Sequence, residues 1–400
     1  MYKSFIMVPA EQIKSLAAKY SQDTAAILSS LVKHKSVSLH EGQVQHELIR
    51  QMQKAGFDEV RMDGLGNVIG RIGSGKRIIA FDAHMDTVDI GNLDNWDFDP
   101  LEGNISDGFV HGRGTADQKG GAAAFITAGR MLKELGYNRD VTLYFTGTVI
   151  EEDCDGLCWK YLVEEEGIRP DVVVITEPTN LNIYRGQRGR MEMKVHFRGL
   201  SCHGSAPERG ENAIYMASRI ALEIEKLNLK LPDDPFLGKG SITVTEIKSS
   251  SPSLCAVSDY ASLHLDRRLT RGETKDSALN EIETIINGMD ARVEVLNFLE
   301  TSFTGLEYGM EKYYPSWVIP SDHDLITKSA EVYETMFGKA PLVDKWTFST
   351  NGVTINGFYG IPIIGFGPGE EKFAHAPNEK VPIDHLEAAS AFYAALAYTL

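Results

Sequence analysis

The spacing of hydrophobic residues changes several times along the chain. Two stretches, 10–35 and 42–55, carry apolar residues three and four positions apart, which predicts two amphipathic helices. After them, short apolar runs alternate with longer helical patterns. The predicted strands are RIIAFDAHMDTV, VTLYFTGTVIEE and DVVVITEPT, and the helices between them are GGAAAFITAGRMLKELG and GLCWKYLVEEEG. This alternation is typical of an α/β protein with helices on both faces of a sheet.

A different order of elements follows Glu177. Between about 185 and 308 the pattern predicts a strand, a helix, two strands, a helix and a strand, the order of a ferredoxin-like α+β domain. The α/β pattern then resumes with two helices and the strand IPIIGFG. Since one core rarely exceeds ~250–300 residues, 400 residues suit two domains. We predict a mixed-sheet α/β domain from 1–184 and 309–400, with a ferredoxin-like domain inserted at 185–308.

Composition and charge narrow the classes of function. The formal net charge is −16, which repels nucleic acid and anionic lipid, so neither is an expected partner. No window approaches the ~18 consecutive apolar residues of a membrane span. The first twenty residues lack the hydrophobic region and cleavage site of an export signal. We therefore expect a soluble, cytoplasmic protein that acts on a small molecule.

Residues that commonly bind metals follow several of the predicted strands. They are, in chain order, His84, Asp86, Asp117, Glu151, Glu152, Glu177 and His375. Open α/β sheets bind ligands in the crevice at the carboxyl ends of their strands, where these residues are expected to meet. One imidazole and one carboxylate for each of two metals, with another carboxylate between them, is a ligand set that suits paired zinc ions.

Each of these residues also has an ordinary explanation. A single histidine at a strand end is usually a hydrogen-bonded loop residue, and paired glutamates after a strand usually form a solvated turn. Five such residues at successive strand ends of one sheet are much harder to explain in this way. The set therefore indicates a candidate metal site.

Five motifs carry a resemblance to a known family. HMD, GRGTADQKGG, VIEEDCDG, ITEPT and FAHAPNE resemble, in order and approximate spacing, the two-zinc family of aminoacylases, acetylornithine deacetylases, succinyl-diaminopimelate desuccinylases and glutamate carboxypeptidases. The resemblance spans nearly the whole chain. Within the family, SSPSLCAVSDYASLHLDRRLTRGET is most similar to a hypothetical hydrolase branch linked to selenium metabolism. The resemblance implies a zinc-peptidase-like fold in which the inserted domain serves as a lid and forms a homodimer.

The resemblance also implies a ligand set for two Zn²⁺ ions per chain. His84, Asp117 and Glu177 would hold one ion, and His375, Asp117 and Glu152 the other, so that Asp117 bridges them. Co²⁺ or Mn²⁺ could occupy the same ligands.

Four further residues receive roles from the resemblance. Asp86 would orient the imidazole of His84. Glu151 would act as general base, taking a proton from the attacking water and passing it to the departing nitrogen. His203 would reach across a dimer to stabilise the oxyanion. Arg268 would bind a carboxylate of the substrate.

The expected reaction is hydrolysis of an amide or peptide bond in a small carboxylate-bearing substrate. Glu177 stands where aminopeptidase relatives have aspartate, which favours the deacylase and carboxypeptidase branches. N-acyl amino acid deacylation and dipeptidase or carboxypeptidase action both stay open, because Cys255 and Ser258 stand where many relatives have asparagine and proline. The alternative is a non-catalytic metal-containing binding or regulatory protein, against which the presence of Glu151 argues.

Overall fold

The helices of the protein lie where their spacing predicts them. A computed structural model describes residues 9–400, and within this range the α-helices are α1 Ala10–Val32, α2 Gly42–Lys54, α3 Lys119–Glu134, α4 Leu157–Glu164, α5 Ala213–Lys230, α6 Lys275–Ile286, α7 Asp324–Phe337 and α8 Ile383–Thr399. Each coincides with a stretch of helical spacing in the sequence. Only the ends differ, as for α1, which was predicted to continue to residue 35 and ends at Val32.

The strands are more numerous than their pattern suggests, because many are only two or three residues long. They are β1 Glu59–Met62, β2 Val68–Ile72, β3 Arg77–His84, β4 Ile105–Ser106, β5 Phe109–His111, β6 Val141–Thr148, β7 Val172–Ile175, β8 Ile183–Tyr184, β9 Gly186–Gln187, β10 Gly189–Arg198, β11 Asp233–Asp234, β12 Gly238–Lys239, β13 Ser241–Ser250, β14 Tyr260–Leu269, β15 Ala291–Val295, β16 Asn297–Thr301, β17 Glu307–Glu311, β18 Tyr313–Tyr314, β19 Trp317–Val318, β20 Val343–Asp344, β21 Ile363–Gly365 and β22 Lys380–Pro382. The last strand predicted for the inserted domain, ARVEVLNFL, is divided in two, because β15 pairs with β10 whereas β16 pairs with β17.

The larger sheet has eight strands in the order β1-β2-β6-β3-β7-β21-β8-β20. Its central strands β6, β3, β7 and β21 are parallel, and antiparallel pairs occur toward both edges. All four residues of β7 are buried, as expected for a parallel strand covered on both faces. The predicted mixed α/β class is therefore confirmed.

Helices cover both faces of this sheet. The ring of Phe81 lies 5.5 Å from that of Tyr393 in α8. The next residue, Asp82, faces the opposite side, where its Oδ2 accepts from Asn351 Nδ2 at 2.9 Å, and Cys158 of α4 contacts the same Asn351 side chain. This second face carries a buried polar network directly below the strand ends.

The second sheet has the order β13-β14-β10-β15, and β18 also pairs with β10. With α5 and α6 packed against it, this is the ferredoxin-like arrangement that the sequence predicts. Alternate residues of β10 from Met191 to Phe197 are buried under the helices, so the other face of the sheet is polar. The boundaries at 185 and 308 stay a prediction, and β18 continues this sheet past the second of them.

None of the helices in the described range, 9–400, combines the length and the hydrophobicity that a bilayer crossing needs.

Phe145 of β6 supports the core of the large sheet. It is fully buried, and its ring lies 4.9 Å from Phe57, 5.1 Å from Phe81 and 5.7 Å from Phe125. We expect Phe145→Ala to lower the free energy of unfolding by about 3–5 kcal/mol, because a large cavity would remain among three rings. Denaturant unfolding would measure the loss. Leu342, with 58% of its surface exposed, provides the control: Leu342→Ala should change stability by less than about 0.5 kcal/mol, and an equal loss in both variants would contradict this account of the core.

Candidate functional site

Three adjacent strands bring most of the candidate residues to one edge of the large sheet. β3 ends at His84, which is in register with Thr148 at the end of β6. Glu151 and Glu152 follow β6, and Glu177 follows β7. Because β3 is parallel to both neighbours, their carboxyl ends meet at the same edge.

Asp117 lies between the two histidines. Its Oδ1 is 3.0 Å from His84 Nε2, and its Oδ2 is 3.5 Å from His375 Nε2. Each histidine also has a carboxylate of its own: Glu177 Oε1 is 3.4 Å from His84 Nε2, and Glu152 Oε2 is 2.8 Å from His375 Nε2. The five predicted ligands thus form two groups that share Asp117.

Glu151 lies beside the first group. Its Oε2 is 3.9 Å from His84 Nε2, farther than the oxygen of Glu177. Within 9–400, two sets of donor atoms have all members within 4.8 Å of one another: His84 with Glu151 and Glu177, and His84 with Asp117 and Glu152. The carboxylate of Glu151 therefore lies within reach of a group bound at His84 and Glu177.

The carboxylates of this cluster are poorly solvated. Burial raises the pKa of Glu151 well above its usual value, and the negative charges of Asp155 and Glu177 raise it further against the opposing effect of His84. Burial and the charge of Asp117 raise the pKa of Glu177 to about 8. Without bound cations, the protein therefore supplies too little positive charge to keep all of these carboxylates ionised.

The pKa values of the two histidines are also raised, in this case by the neighbouring carboxylates and not by burial. Burial alone would lower the pKa of His84, but the carboxylates of Glu177 and Glu151 raise it well above its usual value. The hydrogen bond to Glu152 raises the pKa of His375 to about 9. In the metal-free protein, the neighbouring carboxylates thus favour the protonated form of both imidazoles.

Several buried oxygens at the site have no hydrogen-bond partner among residues 9–400. They include Glu151 Oε1, Glu177 Oε2 and Asp86 Oδ1. An unpaired buried acceptor costs roughly 1–3 kcal/mol, and more when it is charged. Divalent cations would compensate for this cost, and imidazole and carboxylate donors suit zinc and neighbouring metals. The residues present therefore fit the expected pair of cations.

Asp86 supports the site through both its main chain and its side chain. Its main-chain oxygen, not its carboxylate, lies within hydrogen-bond distance of His84 Nδ1, at 2.9 Å, whereas Oδ1 is 3.6 Å away. Since a carbonyl oxygen only accepts, Nδ1 donates and the tautomer is set. The other carboxylate oxygen accepts from Ser38 Oγ at 2.7 Å and from the Glu152 amide at 3.0 Å. Asp86 therefore orients both an imidazole and a carboxylate of the candidate site.

Glu379 holds the loop that carries Asp117, a role that sequence analysis missed. It is fully buried, and its Oε1 accepts from the amides of Ala116 at 2.8 Å and Asp117 at 3.1 Å. Its Oε2 accepts from Arg113 and from the Gly114 amide. The only signal was its place in FAHAPNE, four residues after His375.

A cavity of about 340 Å³ opens above these residues. The cluster of carboxylates and His375 forms part of its wall, and Arg190 and Arg268 also line it. Arg268 bonds Asp266 through Nε and Nη2, which uses two of its three nitrogens. Arg190 lies directly opposite it in the β10–β14 pair, a neighbour that only the strand register reveals.

His203 lies elsewhere. It is exposed, does not line the cavity, and pairs through its main chain with Ala256. Its Nδ1 accepts from the Ser205 amide at 3.1 Å. In the neutral ring the proton is therefore on Nε2, which is a hydrogen-bond donor.

Comparisons with known proteins agree with this architecture. The uncharacterized protein YgeY of Escherichia coli strain K12 is 51% identical over 391 residues, 97% of each chain. Succinyl-diaminopimelate desuccinylase of Paracoccus denitrificans is 26% identical over 391 residues, covering 93% of this chain and 96% of the relative. The YXEP protein of Bacillus subtilis, described as a dinuclear metal-binding peptidase from the M20 family, has a TM-score of 0.70 at 15% identity and covers 96% of this chain and 100% of its own.

The resemblance that the motifs indicated is confirmed by a family profile. The profile described as peptidase family M20/M25/M40 matches residues 80–399, from β3 to the end of α8. This chain belongs to peptidase family M20/M25/M40.

Proposed function

We propose that this protein is a metal-dependent hydrolase that cleaves an amide or peptide bond in a small substrate carrying a carboxylate. One observation carries the proposal: Asp117 lies between His84 and His375, and each imidazole has a further carboxylate beside it. Glu151 lies next to this arrangement with a carboxylate oxygen that has no partner within residues 9–400. Such a site can hold two cations and a base around one reacting bond.

The proposed ligands are His84, Asp117 and Glu177 for one ion and His375, Asp117 and Glu152 for the other. Zn²⁺ suits these donors, and Co²⁺ or Mn²⁺ also fits them. Divalent cations at such a site polarise a carbonyl oxygen and lower the pKa of water. The relative YXEP is described as binding two metals, which supports a pair of ions here.

Glu151 is the proposed general base. Its carboxylate takes a proton from water as the water oxygen attacks the carbonyl carbon. When the C–N bond breaks, the same proton passes from Glu151 to the departing nitrogen, so the residue returns to its starting state. Burial favours this role, since it raises the affinity of the carboxylate for a proton.

Arg268 is the proposed anchor for a carboxylate of the substrate. It lines the cavity opposite the metal ligands, and its planar guanidinium suits a planar anion. The relative from Paracoccus denitrificans is named a desuccinylase, which supports removal of an acyl group from an amine. N-acyl amino acids and dipeptides both fit a cavity with these two features.

We also propose a homodimer through the inserted domain. β13 is a ten-residue edge strand with Ile247 exposed, and α5 exposes Tyr215, Leu222 and Leu229. Pairing across such an edge would bury these apolar side chains. It would also let the Nε2–H group of His203 reach the cavity of the partner subunit and stabilise the oxyanion.

The affinity of the metal-free protein for Zn²⁺ should fall as the pH falls from 9 to 6. The pKa of Glu177 is about 8 and that of His375 about 9, so at pH 7 both carry protons that a metal must displace. Each displaced proton changes the affinity by about tenfold per pH unit. Titration calorimetry in buffers with different ionisation enthalpies would count the protons. His46→Ala, at an exposed position of α2 outside the ligand set, is the control. Binding without proton release would contradict the ligand set.

Glu151→Gln should lower kcat by about 10²–10⁴-fold, because the amide cannot accept the proton. Metal content should stay that of the unaltered protein. The measurements are elemental analysis and hydrolysis of a panel of N-acyl amino acids and dipeptides. Glu11→Gln, whose side chain is 89% exposed, is the control. Full activity in Glu151→Gln would rule out its role as base, and a wild-type protein that binds panel members without turnover would be a binding protein.

Mixing two inactive variants tests the dimer. His203→Ala and Glu151→Gln should each be impaired, but a hybrid dimer contains one site with Glu151 from one chain and His203 from the other. After random subunit exchange, half of the dimers are hybrids, so about a quarter of the sites should be complete. Activity is measured before and after exchange. A fully active monomer, or no recovery despite exchange, would contradict the proposal.

A further inference from the structure

The turn that leads from β6 to Glu151 is held by side chains from three distant parts of the chain. Three of its main-chain amides donate to buried acceptors. The pairs are Val149 with Asn67 Oδ1 at 3.1 Å, Ile150 with Glu41 Oε1 at 3.0 Å, and Glu152 with Asp86 Oδ2 at 3.0 Å. We call these three contacts the amide clamp. They lie on both sides of Glu151 in the chain.

The turn has a conformation that its own residues do not favour. Ile150 has φ of 62°, in the left-handed region that a β-branched residue rarely adopts. Relaxing to an ordinary φ would rotate the peptide before Glu151 and redirect the side chain that follows. The conformation therefore depends on contacts from outside the turn.

Glu41 is the member of the clamp whose position is hardest to explain otherwise. It immediately precedes α2, is fully buried, and has no ion pair within 9–400. Its second oxygen, Oε2, has no hydrogen-bond partner in that range. Burying such a group is unfavourable unless it satisfies a polar partner. Its side chain accepts a hydrogen bond from the amide of Ile150.

The contact does not depend on the charge of Glu41. Burial and the nearby charge of Asp86 raise the pKa of Glu41 to about 8. A carboxylate and a neutral acid both retain an oxygen that can accept the Ile150 N–H group. Glutamine therefore imitates the neutral acid and keeps the acceptor, whereas leucine has a similar size and removes it.

Asn67 supports the same turn one residue earlier and is itself fixed. Its Nδ2 donates to Asp63 Oδ2 at 2.7 Å, and the amide of Asn67 donates to Asp63 Oδ1 at 2.9 Å. These bonds leave Oδ1 of Asn67 directed at Val149. Two residues of the amide clamp are thus held in place, Asn67 by the short turn that begins at Asp63 and Glu41 by the start of α2.

We propose that Glu41 is a positioning residue for hydrolysis: by holding the amide of Ile150, it fixes the strained turn and thereby the direction of the Glu151 carboxylate. This inference rests on the proposed role of Glu151 as general base. Glu41 touches neither the proposed metal ligands' donor atoms nor the arginines of the cavity. Its loss should therefore affect the chemical step more than substrate binding.

The test compares Glu41→Leu with Glu41→Gln. The control is Glu47→Gln, a glutamate within α2 that is 9% exposed and bonds Arg50 instead of the turn. Glu41→Leu should lower kcat by about 10–100-fold, since small misplacements of a reacting group have effects of this size. KM and metal content should stay near those of the wild type. Glu41→Gln and Glu47→Gln should keep kcat within about threefold.

A second measurement does not depend on activity. Amide hydrogen exchange of the peptide covering residues 149–152, measured by mass spectrometry on the metal-free protein, reports the clamp itself. Exchange should be faster in Glu41→Leu and unchanged in Glu41→Gln. If Glu41→Leu does not fold, Asn67→Ala removes the neighbouring contact and should give the same two results.

The outcomes separate the clamp from the proposed function. Unchanged exchange in the leucine variant would disprove the clamp, and faster exchange with normal kcat would disprove the positioning role. Equal damage from glutamine and leucine would mean that charge, not the hydrogen bond, matters, which also overturns the proposal. In a Glu151→Gln background, Glu41→Leu should cause no further loss of activity. A wild-type protein without turnover would overturn the proposed function and the positioning role together, although exchange would still report the clamp.

Discussion

The parallel pairing of β3 with β6 and β7 is the constraint on which the rest of the site depends. In-register pairing brings His84 beside the end of β6, and Glu177 follows the next strand over. Nothing local in these three segments requires their polar ends to meet. They meet because parallel strands in one sheet place all their carboxyl ends at the same edge. The ferredoxin-like sheet then adds Arg190 and Arg268 to the wall of the cavity above that edge.

The same pairing brings several acidic side chains close together, where their negative charges repel one another. Glu151, Glu152 and Glu177 are gathered with Asp117 in a buried cluster, and burial raises the pKa of each of the three glutamates. Mutual repulsion would separate these side chains in water, so the scaffold has to hold them. The carboxylates of Glu379 and Asp86 do so by accepting hydrogen bonds from main-chain amides. These bonds fix the loops without adding bulk to the cavity. Two divalent cations would balance the remaining negative charge.

The site consists of two sets of residues, those proposed to take part in the reaction and those that hold their loops in place. The proposed metal ligands and Glu151 are residues whose chemistry could be read from motifs, such as GRGTADQKGG and FAHAPNE. The residues that hold them, Glu41, Asn67 and Glu379, are buried polar groups at turns and at a helix start. A buried acceptor is favourable only when it meets a donor, so each of these side chains marks a backbone segment whose shape matters. The segment before Glu151 is the clearest case, because Ile150 is strained there.

The sequence alone predicts the elements and the candidate residues at the edge of the sheet, because helical spacing and polar residues after apolar runs are local signals. It predicted the eight α-helices of residues 9–400, the long strands, and a set of candidate metal ligands that the tertiary structure brings together. It did not show the pairing of β2 with β6 in the large sheet, the position of Arg190 opposite Arg268, or the contact of Glu41 with Ile150. Those features join residues far apart, 109 positions in the last case, and such pairs leave no periodicity in the chain. They become visible in the folded structure, because strand register and packing determine which distant groups meet.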